Sequence, residues 1–397
     1  MSDALLTTED GVRRVQEALR EAELDGWLLY EFHGNNPIAA ALLGLGVTRR
    51  RGFALIPARG EPVALIHAIE HSSWRQWPWS TESYAGWREM EATLGSMLEG
   101  RKRVAMEVSP GAAVPTVDYV SMGTAQLVGA LGVELESSAG LVTRFHSVWS
   151  ARQREDHRRA AEIIAAVAEA AFHRAADAIR DGEPTTEGAL SDWIRGRFAE
   201  EGLVHEADCI VAIGRTASDP HYAPAGAGEV IGRGQLLLID LWAGFENTVP
   251  ADQTWMGIMA PSVGARTQEI WAAVKDARNE AVTFLEERHE DGGEVRGCEV
   301  DDVAREVIRE RGYGEYFVHR TGHSIDIGLH GSGPNLDNLE TRDDRLLIPG
   351  VGFSIEPGIY VPDDIGVRSE INVHWTADGP EVTPERIQEE IFLLLDD

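Results

Sequence analysis

Residues 236–244 read LLLIDLWAG, and residues 251–255 read ADQTW. The first run is apolar on both alternating faces, which predicts a strand inside a sheet rather than at its edge. Asp240 interrupts it. A bare carboxylate in such a place is costly unless it is paired, protonated or bound to a cation. Asp252 follows twelve residues later. That separation suits two antiparallel strands joined by an irregular connection, Gly244 to Pro250, with both carboxylates facing one spot.

The same anomaly recurs towards the C-terminus. Glu356 stands in FSIEPG and Glu370, fourteen residues on, in VRSEINV. Strands are expected over 351–361 and 366–375, with a turn at Pro362-Asp363-Asp364 between them. This second hairpin aims its two glutamates at the same place. A salt bridge explains any one such acid. Four of them beside a histidine-rich loop point to a site, because opposed carboxylates need a cation to offset their repulsion.

That loop is FVHRTGHSIDIGLH, residues 317–330. His319, His323 and His330 stand at intervals of four and seven, but Gly322 and Gly328 argue for an irregular segment rather than a helix. One histidine would be a ligand and the others would contact substrate. His221, in DPHYAP, is a further candidate. Four carboxylates and one imidazole suit a pair of divalent ions about 3.5–4 Å apart. Oxygen-dominated ligation favours Mn²⁺, with Co²⁺ and Zn²⁺ also able to fit.

Around these segments the chain of 397 residues divides in two. Residues 1–150 alternate helix and strand signals and predict a three-layer α/β unit. Its expected elements are a helix from Thr8 to about Glu23, strands at 26–30, within 52–66 and at 103–108, a helix over 113–130 and a strand at GVELES. Residues 151–397 open with an Ala-rich helix from about Glu155 to Arg180, then one over 187–200 capped by Thr186. Strands follow at 207–214, 234–244 and 251–259, and helices at 267–289 and 301–311.

The formal charge is −30, from 36 Lys and Arg against 66 Asp and Glu. Such a surface repels nucleic acid and anionic membranes, so neither is an expected partner. No run approaches the roughly 18 apolar residues of a membrane helix. The opening MSDALLTTEDGV is acidic and lacks an apolar run, so no signal peptide is expected. Cys209 and Cys298 form no disulfide framework or zinc-finger spacing. A reducing cytoplasm is the expected location.

With these blocks in view, residues 151–397 resemble the metallopeptidases of the pita-bread fold. These include methionine aminopeptidases, Xaa-Pro aminopeptidases and Xaa-Pro dipeptidases (prolidases). Residues 1–150 resemble the creatinase-type N-terminal domain of the proline-specific members. The fold expected from the resemblance is an α/β N-terminal domain followed by an α+β pita-bread catalytic domain.

The resemblance implies metal ligation by Asp240, Asp252, His323, Glu356 and Glu370, with Asp252 and Glu370 as bridges between two divalent ions. Glu356 would also handle protons. His221, His319 and His330 match substrate-contacting histidines, Arg368 the arginine two residues before the last glutamate, and Thr254 the threonine behind the second aspartate.

Some positions depart from the family pattern. Val249-Pro250-Ala251 stands where a tyrosine is expected, Trp255 replaces an arginine, Ser324 replaces a glycine, and Gly331 follows His330 where an acid is common. All five ligands remain, which sets the chain apart from creatinases that use the fold without metals.

The expected activity is hydrolysis of the Xaa-Pro bond of dipeptides. The alternatives are an Xaa-Pro aminopeptidase acting on longer peptides, an enzyme of another small molecule on the same fold, and a binding protein. A homodimer is expected through the N-terminal domain, with His33, Asn35, Asn36, Trp74 and Trp77 as candidate rim contacts.

Overall fold

The computed structural model describes residues 4–205, 208–224 and 226–396. Two compact units are present, Met1–His146 and Ser147–Asp397.

In the first unit, Thr8 accepts a hydrogen bond from Gly11 N and caps α1 (Glu9–Glu21), which buries Val12, Val15 and Leu19. Then come β1 (Gly26–Glu31), α2 (Pro37–Leu43), β2 (Gly52–Pro57), β3 (Val63–His67), β4 (Ser80–Tyr84), α3 (Trp87–Leu98), β5 (Arg103–Met106), α4 (Met122–Gly129), β6 (Glu134–Ser137) and α5 (Ala139–Phe145). The sheet runs β4-β3-β2-β1-β5-β6. Alternation along β1 explains the layering. Trp27 and Leu29 join a core with residues of α1, α2 and α5, while Leu28 and Tyr30 join one with residues of α3 and α4. Helices therefore cover both faces.

Three details differ from expectation. The helix expected over 113–130 begins only at Met122. Pro110 and Pro115 instead open short 3-10 turns, because proline lacks an N–H and disfavours the helical region for the residue before it. Helices α2, α3 and α5 and strand β4 were not expected. Of the candidate rim residues, Asn36, Trp74 and Trp77 are buried. Asn36 caps α2 and donates to Glu107 Oε2 at 2.8 Å, and the two tryptophans pack edge to face.

The second unit begins with α6 (Ala151–Arg180), which starts earlier than expected because Ser150 and Gln153 form a capping box. It continues through α7 (Glu187–Glu200), β7 (Ile210–Ile213), β8 (Leu236–Ala243), β9 (Ala251–Ile258), α8 (Ala265–Glu290) and α9 (Gly297–Glu310). The remaining strands are β10 (Ser324–Ile325), β11 (Gly352–Ile355), β12 (Gly358–Val361), β13 (Ile365–Arg368), β14 (Ile371–Thr376), β15 (Gly379–Thr383) and β16 (Phe392–Leu393). Ala207, the expected start of the first strand of this unit, lies outside the described residues.

One sheet is ordered β16-β9-β8-β7, another β10-β11-β14-β15, and β12 pairs with β13. Strand β8 is thus internal, as its two apolar faces require. Leu237, Ile239 and Leu241 face a core built with α6 and α7. Leu236 and Leu238 face the core of α8 and α9. Gly257 of β9 lets α6 approach, since a Cβ there would lie 2.7 Å from the Phe172 ring.

The strands expected over 351–361 and 366–375 are each broken in two. The breaks fall at Glu356-Pro357 and at Ser369-Glu370, where the chain leaves one ladder for another.

Candidate metal centre

Residues 236, 238, 240 and 242 of β8 share one face, and the β8–β9 ladder pairs Asp240 with Thr254 and Trp242 with Asp252. Along this face the side chains change from Leu236 and Leu238, beside Ile258 and Met256, to Asp240 and Asp252. The apolar core therefore ends where the carboxylates begin. Trp255 points the other way, into the opposite core, where it stacks on Phe392. The departure from arginine at this position is a packing residue outside the site.

Ile355 and Ile371 are the last pair of the β11–β14 ladder, and Gly358 pairs with Arg368 at the base of the β12–β13 hairpin. Glu356 and Glu370 sit at the corner between these ladders. Glu370 N donates to Thr254 O at 3.3 Å and Glu356 N to Thr321 O at 2.7 Å. These bonds tie the corner to β9 and to the histidine loop. His323 is held by Ser354, whose Oγ accepts from His323 N at 2.9 Å and donates to Glu356 Oε1 at 3.1 Å.

Ligand atoms of Asp252, His323 and Glu370 all lie within 4.8 Å of one another. His323 Nε2 stands 3.3 Å from Asp252 Oδ2 and 3.5 Å from Glu356 Oε1. Asp240 completes the group from β8, with Oδ2 paired to Arg368 Nη2. All five side chains line one cavity of about 420 Å³, together with His221, His319, His330, Arg320, Glu340, Trp242 and Arg368.

The residues fit divalent cations on two observations. Asp240 Oδ1 and Asp252 Oδ1 are buried with no hydrogen-bond partner among the described residues. His323 Nδ1 lies 3.1 Å from the Ser324 carbonyl, a contact that places the ring proton there and leaves Nε2 facing the carboxylates, as in metal-ligating histidines. The electrostatics agree. Burial pushes the Asp240 carboxyl up to about 7, with Arg368 opposing and Asp252 and Glu356 adding to the rise. Burial also raises Asp252 and Glu370, and neighbouring carboxylates add to both. Burial lifts Glu356 too, but His323, His319 and Arg368 outweigh it and hold this carboxyl below its ordinary value.

The three remaining histidines differ. His319 is engaged at both ring nitrogens, Nε2 with Tyr360 Oη at 2.9 Å and Nδ1 with Arg320 O at 2.7 Å. The His330 ring packs 4.4 Å from that of His323, and burial, reinforced by His323, pushes its imidazole down to about 4. His221 is exposed to the cavity. The turn carrying His330 wraps the Asp326 carboxylate, which accepts from Gly328 N and Ser332 N at 3.0 and 2.8 Å. A Cβ at Gly331 would come within 2.8 Å of that carboxylate, which accounts for glycine after His330.

Two supports hold the site: Arg368, which the sequence already singles out, and Asp301, which escaped the sequence reading. Arg368 donates to Thr254 Oγ1 and Tyr360 Oη at 2.9 Å each, as well as to Asp240. Asp301 of α9, fully buried, accepts from Thr321 N and Oγ1 at 2.9 and 2.6 Å, from Asn338 N at 2.9 Å and from Arg305 Nη2 at 2.8 Å. Arg305 donates in turn to the carbonyls of Phe317 and His319. This pair fixes both the histidine loop and the segment leading to Glu340.

Residues 155–377 match the model of metallopeptidase family M24. An Xaa-Pro dipeptidase of Lactobacillus helveticus is 33% identical over 216 residues, 54% of each chain, so the match spans about half the length of that relative. A probable dipeptidase PepE of Mycobacterium tuberculosis is 26% identical over 82% of this chain and 81% of its own. The crystal structure of dipeptidase PepE from Mycobacterium ulcerans aligns with a TM-score of 0.74 at 22% identity, covering 96% of both chains. The fold is thus an α/β N-terminal unit with a pita-bread catalytic unit. With its match across more than half its length, the chain belongs to metallopeptidase family M24.

Proposed function

We propose that the protein is a cytoplasmic Xaa-Pro dipeptidase that works with two divalent metal ions. The observation that carries the chemistry is the convergence of Asp252, His323 and Glu370 within 4.8 Å, with Asp240 and Glu356 lining the same cavity. The substrate class rests on the Xaa-Pro dipeptidase relative. Arg320 adds to it. This guanidinium lines the cavity and lies 3.6 Å from Glu340, where it can meet the free carboxylate of a dipeptide.

In this reading Asp240, Asp252, His323, Glu356 and Glu370 would hold the ions. Bound ions of this kind supply Lewis acidity and a nucleophile available at neutral pH. Glu356, whose carboxyl is held low, accepts the proton released on attack and returns it to the leaving nitrogen. His330 and His221 hold the peptide group. His319 acts behind them through Tyr360, and Arg368 fixes Asp240. Manganese is the proposed native metal because four of the five ligands are carboxylates. A homodimer formed through the N-terminal unit is part of the proposal.

The test is a panel of Xaa-Pro dipeptides, Xaa-Pro tripeptides and non-proline controls, run with Mn²⁺, Co²⁺ or Zn²⁺ after chelation. Metal-dependent cleavage of the dipeptides is expected. Cleavage of tripeptides alone would make the protein an Xaa-Pro aminopeptidase, and no cleavage in any lane would end the peptidase reading.

A further inference from the structure

Glu187 is an acid in the first turn of α7, and it is fully buried. Burying a carboxylate away from any cation is expensive unless hydrogen bonds satisfy it. Here both oxygens are saturated by neutral donors. Oε1 accepts from Ile213 N at 3.1 Å and Thr216 Oγ1 at 2.5 Å. Oε2 accepts from Tyr222 Oη at 2.7 Å and Glu229 N at 2.8 Å.

The four donors come from the end of β7, the turn after it, the residue next to His221, and Glu229 further along the same connection. The α7 terminus adds main-chain bonds to that segment, Glu187 N to Glu229 O at 3.0 Å and Gly188 N to Ala227 O at 2.9 Å. On the other side, Arg368 Nη1 reaches Pro220 O at 3.5 Å. His221 is therefore gripped between two fixed points. Pro220 is tied to Arg368 inside the cavity, and Tyr222 is tied to Glu187 outside it.

We infer that Glu187 is a positioning residue for His221, acting through Tyr222 and Glu229 to hold the imidazole against the cavity that contains the carboxylates. The inference rests on the proposed role of His221 in gripping the peptide. Its logic is geometric. An exposed imidazole on a loop makes a useful substrate contact only if the loop is fixed, and a 1 Å displacement of such a group costs on the order of 100-fold in rate. A carboxylate with four donors fixes it. An amide at position 187 cannot, because its NH₂ would face two donors instead of accepting from them.

The experiment is a double-mutant cycle on Xaa-Pro dipeptide cleavage by the metal-loaded protein. Glu187→Gln and Tyr222→Phe are each combined with His221→Ala. Each is expected to lower kcat about 10- to 100-fold with little change in KM, and to have almost no further effect once His221 is gone. Tyr222→Phe keeps the measurement open if Glu187→Gln folds poorly. Equal losses with and without His221 would overturn the inference, as would full activity in both variants while His221→Ala is impaired. If His221→Ala is fully active, the inference falls while the peptidase reading stands.

A readout independent of turnover decides the matter if no peptide is cleaved. The His221 imidazole resonances, assigned from their loss in His221→Ala, are expected to shift or broaden in both variants. Unchanged resonances would overturn the inference even then.

Discussion

Thr254 Oγ1 donates to Glu370 Oε2 at 2.8 Å and accepts from Arg368 Nε at 2.9 Å. One hydroxyl thus orients a carboxylate of the candidate metal centre and the guanidinium that holds another. Thr254→Val keeps the shape and removes both bonds. A roughly 10- to 100-fold loss of Mn²⁺ affinity is expected, the usual cost of losing a group that orients a ligand. Titration calorimetry checks it, and wild-type affinity in the variant would refute this role for Thr254.

Asp240 predicts a pH dependence for the chelated protein. Burial lifts its carboxyl from 3.8 to about 7 in the fold. Between those values the folded state binds more protons at this group than the unfolded state does. Its contribution to stability therefore falls as pH rises through that window. Asp240→Asn removes this slope. In chelator, the melting temperature of the variant minus that of wild type should grow from pH 5 to pH 8. His157, pushed down to about 4 by burial, has the opposite slope but is common to both proteins. A difference that stays flat with pH would refute the prediction.

Asp301→Asn leaves Arg305 without its full partner and turns an NH₂ towards donors. The loss is expected to be roughly 2–3 kcal/mol in denaturant unfolding, the range for a buried charged hydrogen bond. Loss of metal affinity should accompany it, because the loop that carries His323 is released. A stable variant with unaltered metal binding would show that the loop holds itself.

Gly257→Ala tests the packing of α6 on β9. The added methyl would lie 2.7 Å from Phe172 and 2.9 Å from Leu394. Overpacking of this kind costs roughly 1–3 kcal/mol. The check is a fall in melting temperature with no change in metal affinity, since the glycine faces away from the cavity.

The sequence exposes this architecture unevenly. Acids inside apolar strands are anomalous, so Asp240 and Glu370 attract attention without any structure. Helix starts at Thr8 and Thr186 are equally plain, because the capping chemistry is local. The breaks at Glu356-Pro357 and Ser369-Glu370 are not plain. Each run is apolar enough for one long strand, and only the exchange of ladder partners reveals two. Glu187 and Asp301 are hidden for a different reason. An acid in the first turn of a helix, such as Glu187, is ordinary on dipole grounds, an acid one turn further in, such as Asp301, passes for solvated helix surface, and nothing nearby says that either will be buried under its donors. The separation of His319 from His330 likewise depends on Tyr360, which stands 41 residues from His319 and meets it only in the fold.

Asp301 has one more consequence. The histidine loop and the stretch approaching Glu340 share one carboxylate on α9 as an anchor. They are two parts of one bracket. A mutation that tilts α9 would carry metal retention and substrate fit along together. Selection acting on α9 therefore moves the rim of the cavity and its floor together.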